Sequence, residues 1–168
     1  ARAEDELRKF IERTQLPFLA SPMGKGMLSD DDPLSVGAAR SHALKEADVV
    51  FLMGARLNWI MHFGLPPRFA ADVKIIQLDI AAETIGTNVA AEVALVGDGK
   101  AIAAQLNTAL DQRPWQYPKE TDWRGELSSK AADNLEAVAG MSNDHSSPMN
   151  YYRAFRDIAN WLPSDAII

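Results

Sequence analysis

The segment Val49-Val50-Phe51-Leu52-Met53, broken at Gly54 and followed at once by Ala55-Arg56-Leu57-Asn58-Trp59, constrains the fold of this chain more than any other stretch. An unbroken apolar run of strand length, without polar alternation, suits a strand buried on both faces. Such strands belong to parallel sheets covered by helices. Ligands of these sheets sit outside the carboxyl ends of the strands. Gly54 permits a tight turn at that end, and Arg56, Asn58 and Trp59 then bring a cation, an amide and an aromatic plane to the mouth of the sheet.

The rest of the chain repeats the pattern. A second apolar run, Val73 to Ile80, predicts another buried strand, and a third run, Val93 to Val96, leads into Gly97-Asp98-Gly99. Leu16 to Ala20, bounded by Pro17 and Pro22, reads as a further short strand, with Met23-Gly24-Lys25-Gly26 as the loop behind it. Helical spacing joins Leu7, Phe10, Ile11 and Thr14, and then Ile102, Leu106, Ala109 and Leu110. Between them Leu34, Ala38, Ala39, Ala43 and Leu44 predict a helix running to Ala47, with Asp32 as cap and Pro33 in its first turn. Strands alternating with helices predict an α/β fold, Rossmann-like and doubly wound around a mainly parallel sheet, over residues 1–112.

Beyond Asp111 the character changes, because Arg113-Pro114-Trp115-Gln116-Tyr117-Pro118 cannot be helical. Residues 113–147 read as a linker holding one amphipathic helix, with Trp123, Leu127, Ala131, Leu135 and Val138 in register and an end near Gly140. Residues 148–168 read as a final helix, capped by Ser147 and Pro148, and the start of a strand. Its stripe of Tyr152, Phe155, Ile158, Ala159 and Leu162 requires a partner surface. The opening without Met and the apolar end at Ile168 read as a piece of a longer protein.

Composition narrows the function. The 168 residues are 47% apolar, enough for one ordinary core, and the net charge of -6 with no basic run argues against nucleic-acid binding. With no Cys, thiolate metal sites and cysteine nucleophiles are excluded, and His42, His62 and His145 lack metal-ligand spacing. No stretch approaches the about 18 apolar residues of a membrane span, and no signal-peptide pattern is present, so the expectation is a soluble protein that engages no membrane.

The ordered set Pro22-Met23-Gly24-Lys25-Gly26, Gly37-Ala38-Ala39-Arg40-Ser41, Gly54-Ala55-Arg56-Leu57-Asn58-Trp59, Gln77-Leu78-Asp79-Ile80 and Met149-Asn150-Tyr151-Tyr152 resembles the middle domain of thiamine-diphosphate-dependent 2-hydroxyacyl-CoA lyases. Oxalyl-CoA decarboxylases are similar, and Ile60 to Arg68 favours the lyase branch. The resemblance implies a parent enzyme of three α/β domains, of which the outer two hold thiamine diphosphate and Mg²⁺. This chain matches the middle domain, the linker and the first helix of the third, with the middle domain's usual opening strand absent. The implied reaction splits the bond between C1 and C2 of a 2-hydroxyacyl-CoA into formyl-CoA and a shortened aldehyde, the cofactor serving as electron sink. It also implies an acyl-CoA substrate, a homo-oligomer (dimer or tetramer), and a peroxisomal location in eukaryotes or a cytoplasmic one in bacteria.

No catalytic residue and no metal ligand are assigned within the chain. Asp79, with Ile80 after it, stands where doubly wound folds place an acid for ribose hydroxyls, though an Asp also simply ends strands. The likeness to oxalyl-CoA decarboxylase, whose middle domain binds ADP, favours the nucleotide role. Arg40 has a fork suited to a diphosphate or to an ion pair with Asp30 or Glu46, and Arg56 is open in the same way to a salt bridge behind the sheet. Asp98 is expected to cap the helix that starts at Gly99 and to border a nucleotide. Gly97-Asp98-Gly99 resembles a diphosphate and Mg²⁺ motif that continues with an Asn, but the matching window, Arg124 to Leu127, holds none.

Met23-Gly24-Lys25-Gly26 offers free amides and one ammonium, and the resemblance sets this loop against the CoA moiety. Trp59 is expected to pack rather than stack on adenine, and His42 and His62 to be hydrogen-bonded structural residues. Two rivals stay open: a purely structural or oligomerisation domain with a vestigial pocket, and a flavin in place of ADP.

Overall fold

A computed structural model describes residues 2–166. Three strands, β1 (Val49–Met53), β2 (Lys74–Asp79) and β3 (Ala91–Val96), form one parallel sheet in the order β1-β2-β3. The helices are α1 (Glu4–Thr14), α2 (Arg40–Glu46), α3 (Gly99–Gln112), α4 (Asp122–Ser142) and α5 (Tyr151–Ala159). The α/β class expected from the apolar runs is the class observed.

Successive side chains of a strand point to opposite faces, so β1 identifies the helix on each face. Phe51 meets Phe10 of α1 edge-on, with ring centroids 6.0 Å apart. Leu52, one residue on, joins Leu44 of α2 in a cluster with Leu57, Phe69 and Ile75. Thus α1 and α2 cover opposite faces, the doubly wound arrangement. On the α1 side, α3 packs alongside: the Asn107 amide donates to the Glu6 carbonyl at 2.9 Å, and Arg13 donates to the Asn107 carbonyl at 2.8 Å.

The register sets Val50 beside Ile75 and Leu52 beside Gln77, which turns Ile75, Gln77 and Asp79 toward the α2 face. Parallel strands need a crossover, usually a helix. The β2–β3 connection, residues 80–90, contains only a 3-10 turn at Ala82–Thr84. Gln77, 3% exposed in mid-strand, takes the place of helix packing there. Its Nε2 donates to the Thr84 carbonyl at 3.4 Å and its Oε1 accepts from the Gly86 N–H at 3.0 Å. A buried side-chain amide without partners costs about 1–3 kcal/mol. The loop removes that cost, and the amide fixes the loop.

Several local expectations are corrected. Leu16 to Ala20 is not a strand: Phe18 makes one parallel bridge to Ser35, exchanging bonds with Leu34 and Val36, both 2.9 Å. Residues 34–36 enter a 3-10 turn directly afterwards, at Gly37–Ala39, so no ladder extends. The same bridge delays the following helix. Asp32 Oδ1 accepts from the Leu34 N–H at 2.8 Å in a local turn, and α2 begins only at Arg40. At the far end Asn150, not Ser147, caps α5 by accepting from the Arg153 N–H.

The linker folds back on the domain. The Tyr117 N–H donates to the Thr14 carbonyl at 2.7 Å, and Trp123 meets the Tyr117 ring edge-on. Arg124 lies over the same ring, 5.1 Å from its centroid, and donates to the Gln15 carbonyl. Leu127 of α4 completes a second core cluster with Val36, Ala39 and Ala43, while His42 contacts Glu126 at 3.1 Å. The apolar stripe of α4 is buried only at this end, and Leu135 and Val138 are exposed. Tyr152, Phe155 and Ile158 of α5 are also exposed, as a stripe awaiting a partner would be. Among the described residues no helix is long and apolar enough to cross a membrane.

Candidate functional site at the carboxyl edge of the sheet

All three strands point their carboxyl ends the same way, so the loops that follow them share one edge. After β1, Gly54 turns with φ +64° and its N–H donates to the Leu78 carbonyl at 2.8 Å. The chain then passes Arg56 and Leu57 to Asn58, whose Oδ1 accepts from the Ile60 N–H at 3.0 Å and starts a short turn. After β2 the helix-free crossover doubles back, and Asn88 donates through Nδ2 to the Leu57 carbonyl at 2.6 Å.

The two loops enclose an open cleft of about 240 Å³, lined among others by Arg56, Asn58, Gln77, Glu83, Thr87 and Asn88. Arg56 is exposed, and no side-chain bond among the described residues engages its guanidinium. The salt bridge behind the sheet that the sequence left open for it is not formed. A free planar cation beside amides and hydroxyls suits an anionic, hydroxyl-bearing ligand. Sites that bury a whole small molecule run to about 300–1,000 Å³. At about 240 Å³ this cleft is smaller than such a site and opens along the edge of the sheet.

The other expected site residues are more dispersed. Asp79 is 7% exposed, its Oδ1 accepts from the Ala81 N–H at 2.9 Å, and its carbonyl accepts from the Gly97 N–H at 3.0 Å. Ile80 beside it is largely exposed. Asp98 Oδ1 accepts from the N–H groups of Lys100 and Ala101 at 3.0 and 3.1 Å, which makes it the cap of α3 as expected. Asp79, Ile80 and Asp98 thus share the β2–β3 stretch of the edge, next to the Arg56 cleft rather than in its lining.

Arg40, the first residue of α2, pairs with neither Asp30 nor Glu46. It donates to the Ile60 carbonyl at 2.6 Å and to Met61 Sδ at 3.6 Å, bracing the loop after β1. In the glycine loop, Met23 and Lys25 are exposed, Gly24 belongs to a 3-10 turn, and Lys25 Nζ bonds Asp30 at 2.6 Å. Only Gly26 of the four lines a second cavity, of about 500 Å³, against Arg8 and Glu12 of α1.

Two aromatic and histidine expectations are corrected. Trp59 is 72% exposed, not packed. It stands on a turn whose next residues bend away: His62 and Phe63 both adopt the left-handed region, φ 48° and 56°. The His62 side chain is exposed and makes no hydrogen bond among the described residues, while His42 has the Glu126 partner described above.

Glu83, Thr87 and Asn88 were not singled out from the sequence, and Gln77 entered only as part of the Gln77 to Ile80 motif. Gln77 carried a readable signal, a lone amide inside an apolar strand. Thr87 and Asn88 carried none, because their positions follow from the fold of the crossover. A thiamine diphosphate and Mg²⁺ site does not fit this chain: Asp98 is committed to capping α3, the expected Asn is absent, and no cluster of three or more acids and histidines that could hold a metal occurs among the described residues.

Residues 1–106 match the family described as thiamine pyrophosphate enzyme, central domain, and the chain belongs to that family. Over its whole length it is 49% identical to 2-hydroxyacyl-CoA lyase 1 of Homo sapiens, of which it spans 29%. It is 35% identical over 155 residues to 2-hydroxyacyl-CoA lyase of Saccharomyces cerevisiae, aligning 89% of this chain with 27% of that protein. To oxalyl-CoA decarboxylase of Escherichia coli K12 it is 38% identical over 162 residues, 96% of this chain and 28% of that enzyme. The chain thus corresponds to less than a third of the relatives it resembles.

Proposed function

We propose that this chain is the middle domain of a thiamine-diphosphate-dependent 2-hydroxyacyl-CoA lyase, whose whole protein cleaves the C1–C2 bond to give formyl-CoA and a shortened aldehyde. Identity of 49% to the human lyase along the entire chain, against 38% to the bacterial decarboxylase, is the observation that carries this reading. Within the parent this domain spaces the catalytic domains, contributes the Met23 to Gly26 loop to the CoA groove, and binds an adenine nucleotide such as ADP at the carboxyl edge of the sheet. The free Arg56 guanidinium supports a diphosphate contact, and the nearly buried Asp79 carboxylate supports a ribose contact.

The experiment has two arms. The parent protein, supplied with thiamine diphosphate, Mg²⁺ and a 2-hydroxyacyl-CoA, releases formyl-CoA, while this chain alone does not; preferential turnover of oxalyl-CoA by the parent assigns it to decarboxylation instead. Calorimetry of this chain with ADP gives heat that Arg56→Ala or Asp79→Ala abolishes. Silence in that titration leaves a purely structural middle domain, and flavin absorbance in the purified protein replaces ADP by a flavin.

A further inference from the structure

We propose that Gln77 is a positioning residue for the nucleotide cleft, holding its far rim in the binding shape from inside the sheet; this rests on the nucleotide reading of the Arg56 cleft. Four observations converge. Gln77 lies between Ile75 and Asp79 on one face of β2, yet its neighbours on that strand face bury either an apolar side chain or a carboxylate bound locally to Ala81. Its amide reaches past Ala81 to the middle of the crossover, donating to Thr84 and accepting from Gly86. The crossover has no helix to pack it down. The rim so held, Glu83 to Asn88, makes one wall of the cleft, and Arg56 stands on the other.

The bonds propagate outward from Gln77. The Thr84 hydroxyl donates to the Ala81 carbonyl at 2.9 Å and the Thr87 hydroxyl donates to the Thr84 carbonyl at 2.8 Å, so the Thr84 carbonyl that Gln77 engages is also the one that orders Thr87. Asn88 then ties the end of the rim to Leu57, next to Arg56. Release of Gln77 frees the segment between two fixed points, Asp79 and Asn88, and the distance from Glu83 and Thr87 to Arg56 becomes variable. A ligand that needs both walls then has to order the rim itself, and affinity falls.

The chemistry of the side chain is specific. Glu has the reach of Gln and keeps an acceptor for Gly86 but sets a buried carboxylate against the Thr84 carbonyl; Asn has the same amide on a stem one methylene shorter and falls short of the turn; Met has the length and no hydrogen bonds. The test measures ADP binding by calorimetry, thermal unfolding, and exchange of the Gly86 amide, for the native chain and Gln77→Glu, Gln77→Asn and Gln77→Met. Expected is a loss of affinity of about tenfold or more in all three variants, with fast Gly86 exchange in the Asn and Met variants and slower exchange in the Glu variant, which keeps the Gly86 acceptor. If the Asn variant does not fold, the Met variant reads the same bond loss in a side chain of matching length. Native-like ADP affinity in the folded Asn or Met variant overturns the positioning role while leaving the nucleotide reading intact. Absence of ADP binding to the native chain overturns both.

Discussion

Asn88 and Leu57, 31 positions apart in the chain, are joined by a hydrogen bond of 2.6 Å from the Asn88 amide to the Leu57 carbonyl. It is the tie between the loop leaving β1 and the crossover leaving β2. Asn88→Ala is expected to lower stability by about 0.5–1.5 kcal/mol, the net value of one such bond. Asn88→Asp, which sets a carboxylate against the carbonyl, costs at least as much. Urea unfolding of the two variants checks this, and an unchanged midpoint for both would show that the tie contributes nothing.

Gly64 occupies the left-handed region at φ +71°, and a Cβ there would lie 2.7 Å from Leu57 Cδ1 and 3.0 Å from Val89 Cγ2. Gly64→Ala therefore combines backbone strain with overpacking, for a loss of about 2 kcal/mol or more. Leu57 belongs to the main core cluster, so the damage reaches beyond the loop. A thermal midpoint within a degree of the native one would contradict the close approach.

Asp98 separates capping from ligand binding. Asp98→Ala is expected to cost about 1 kcal/mol through loss of the α3 cap, and Asp98→Asn, an equally good cap, to recover most of it. Chemical denaturation reads the difference. Equal losses in both variants would point to a requirement for the negative charge instead.

Ile75 is fully buried in the α2-side cluster. Ile75→Val should cost about 0.5–1.5 kcal/mol and Ile75→Ala about 2–5 kcal/mol. A small loss in both would mean that this face of the sheet collapses around the cavity.

The corner between α4 and α5 should loosen in acid. Hydrogen bonds from Arg156 and Arg153 hold the Asp157 carboxyl below its ordinary value of 3.8, and bonds from Ser146 do the same for Asp144. A depressed folded-state pKa gives stability that is present above the unfolded value and lost as pH falls through the folded one. Helical signal and amide protection of α5 should accordingly be steady above about pH 4 and decline below it. Asp157→Asn should remove much of that dependence; a native-like acid profile in this variant would refute the assignment.

The sequence disclosed whatever is governed by local periodicity and burial. The strands at β1, β2 and β3, the inner face of α1 and the cap at Asp98 were all legible, because each is decided by side chains within one element; the face of α3 was not, since it buries Ala103 and Asn107 most deeply and leaves Ala109 exposed. What stayed hidden is decided between elements. Leu16 to Ala20 has strand composition but meets one bridging partner, and Ser35, drawn into that bridge, is lost to the helix its neighbours suggested. Arg40 was seen as a cation near the edge, but its bond to the Ile60 carbonyl depends on where the loop after β1 folds back. Arg56 was placed at the mouth of the sheet with a salt bridge left open to it; the opposite wall of its cleft, built from a crossover without regular periodicity, was not foreseen.

That crossover has a consequence for how such a domain can diversify. A connection packed down as a helix would couple every change in it to the hydrophobic core, whereas residues 80–90 are held to the sheet at a few points: Ala81 by Asp79, Thr84 and Gly86 by the Gln77 amide, and Val89 against the main cluster. Length and chemistry along Glu83 to Thr87 can drift with little penalty to folding so long as Gln77 keeps its two partners. The shape of the cleft wall and the ability to fold are thereby carried by separate positions of the same chain.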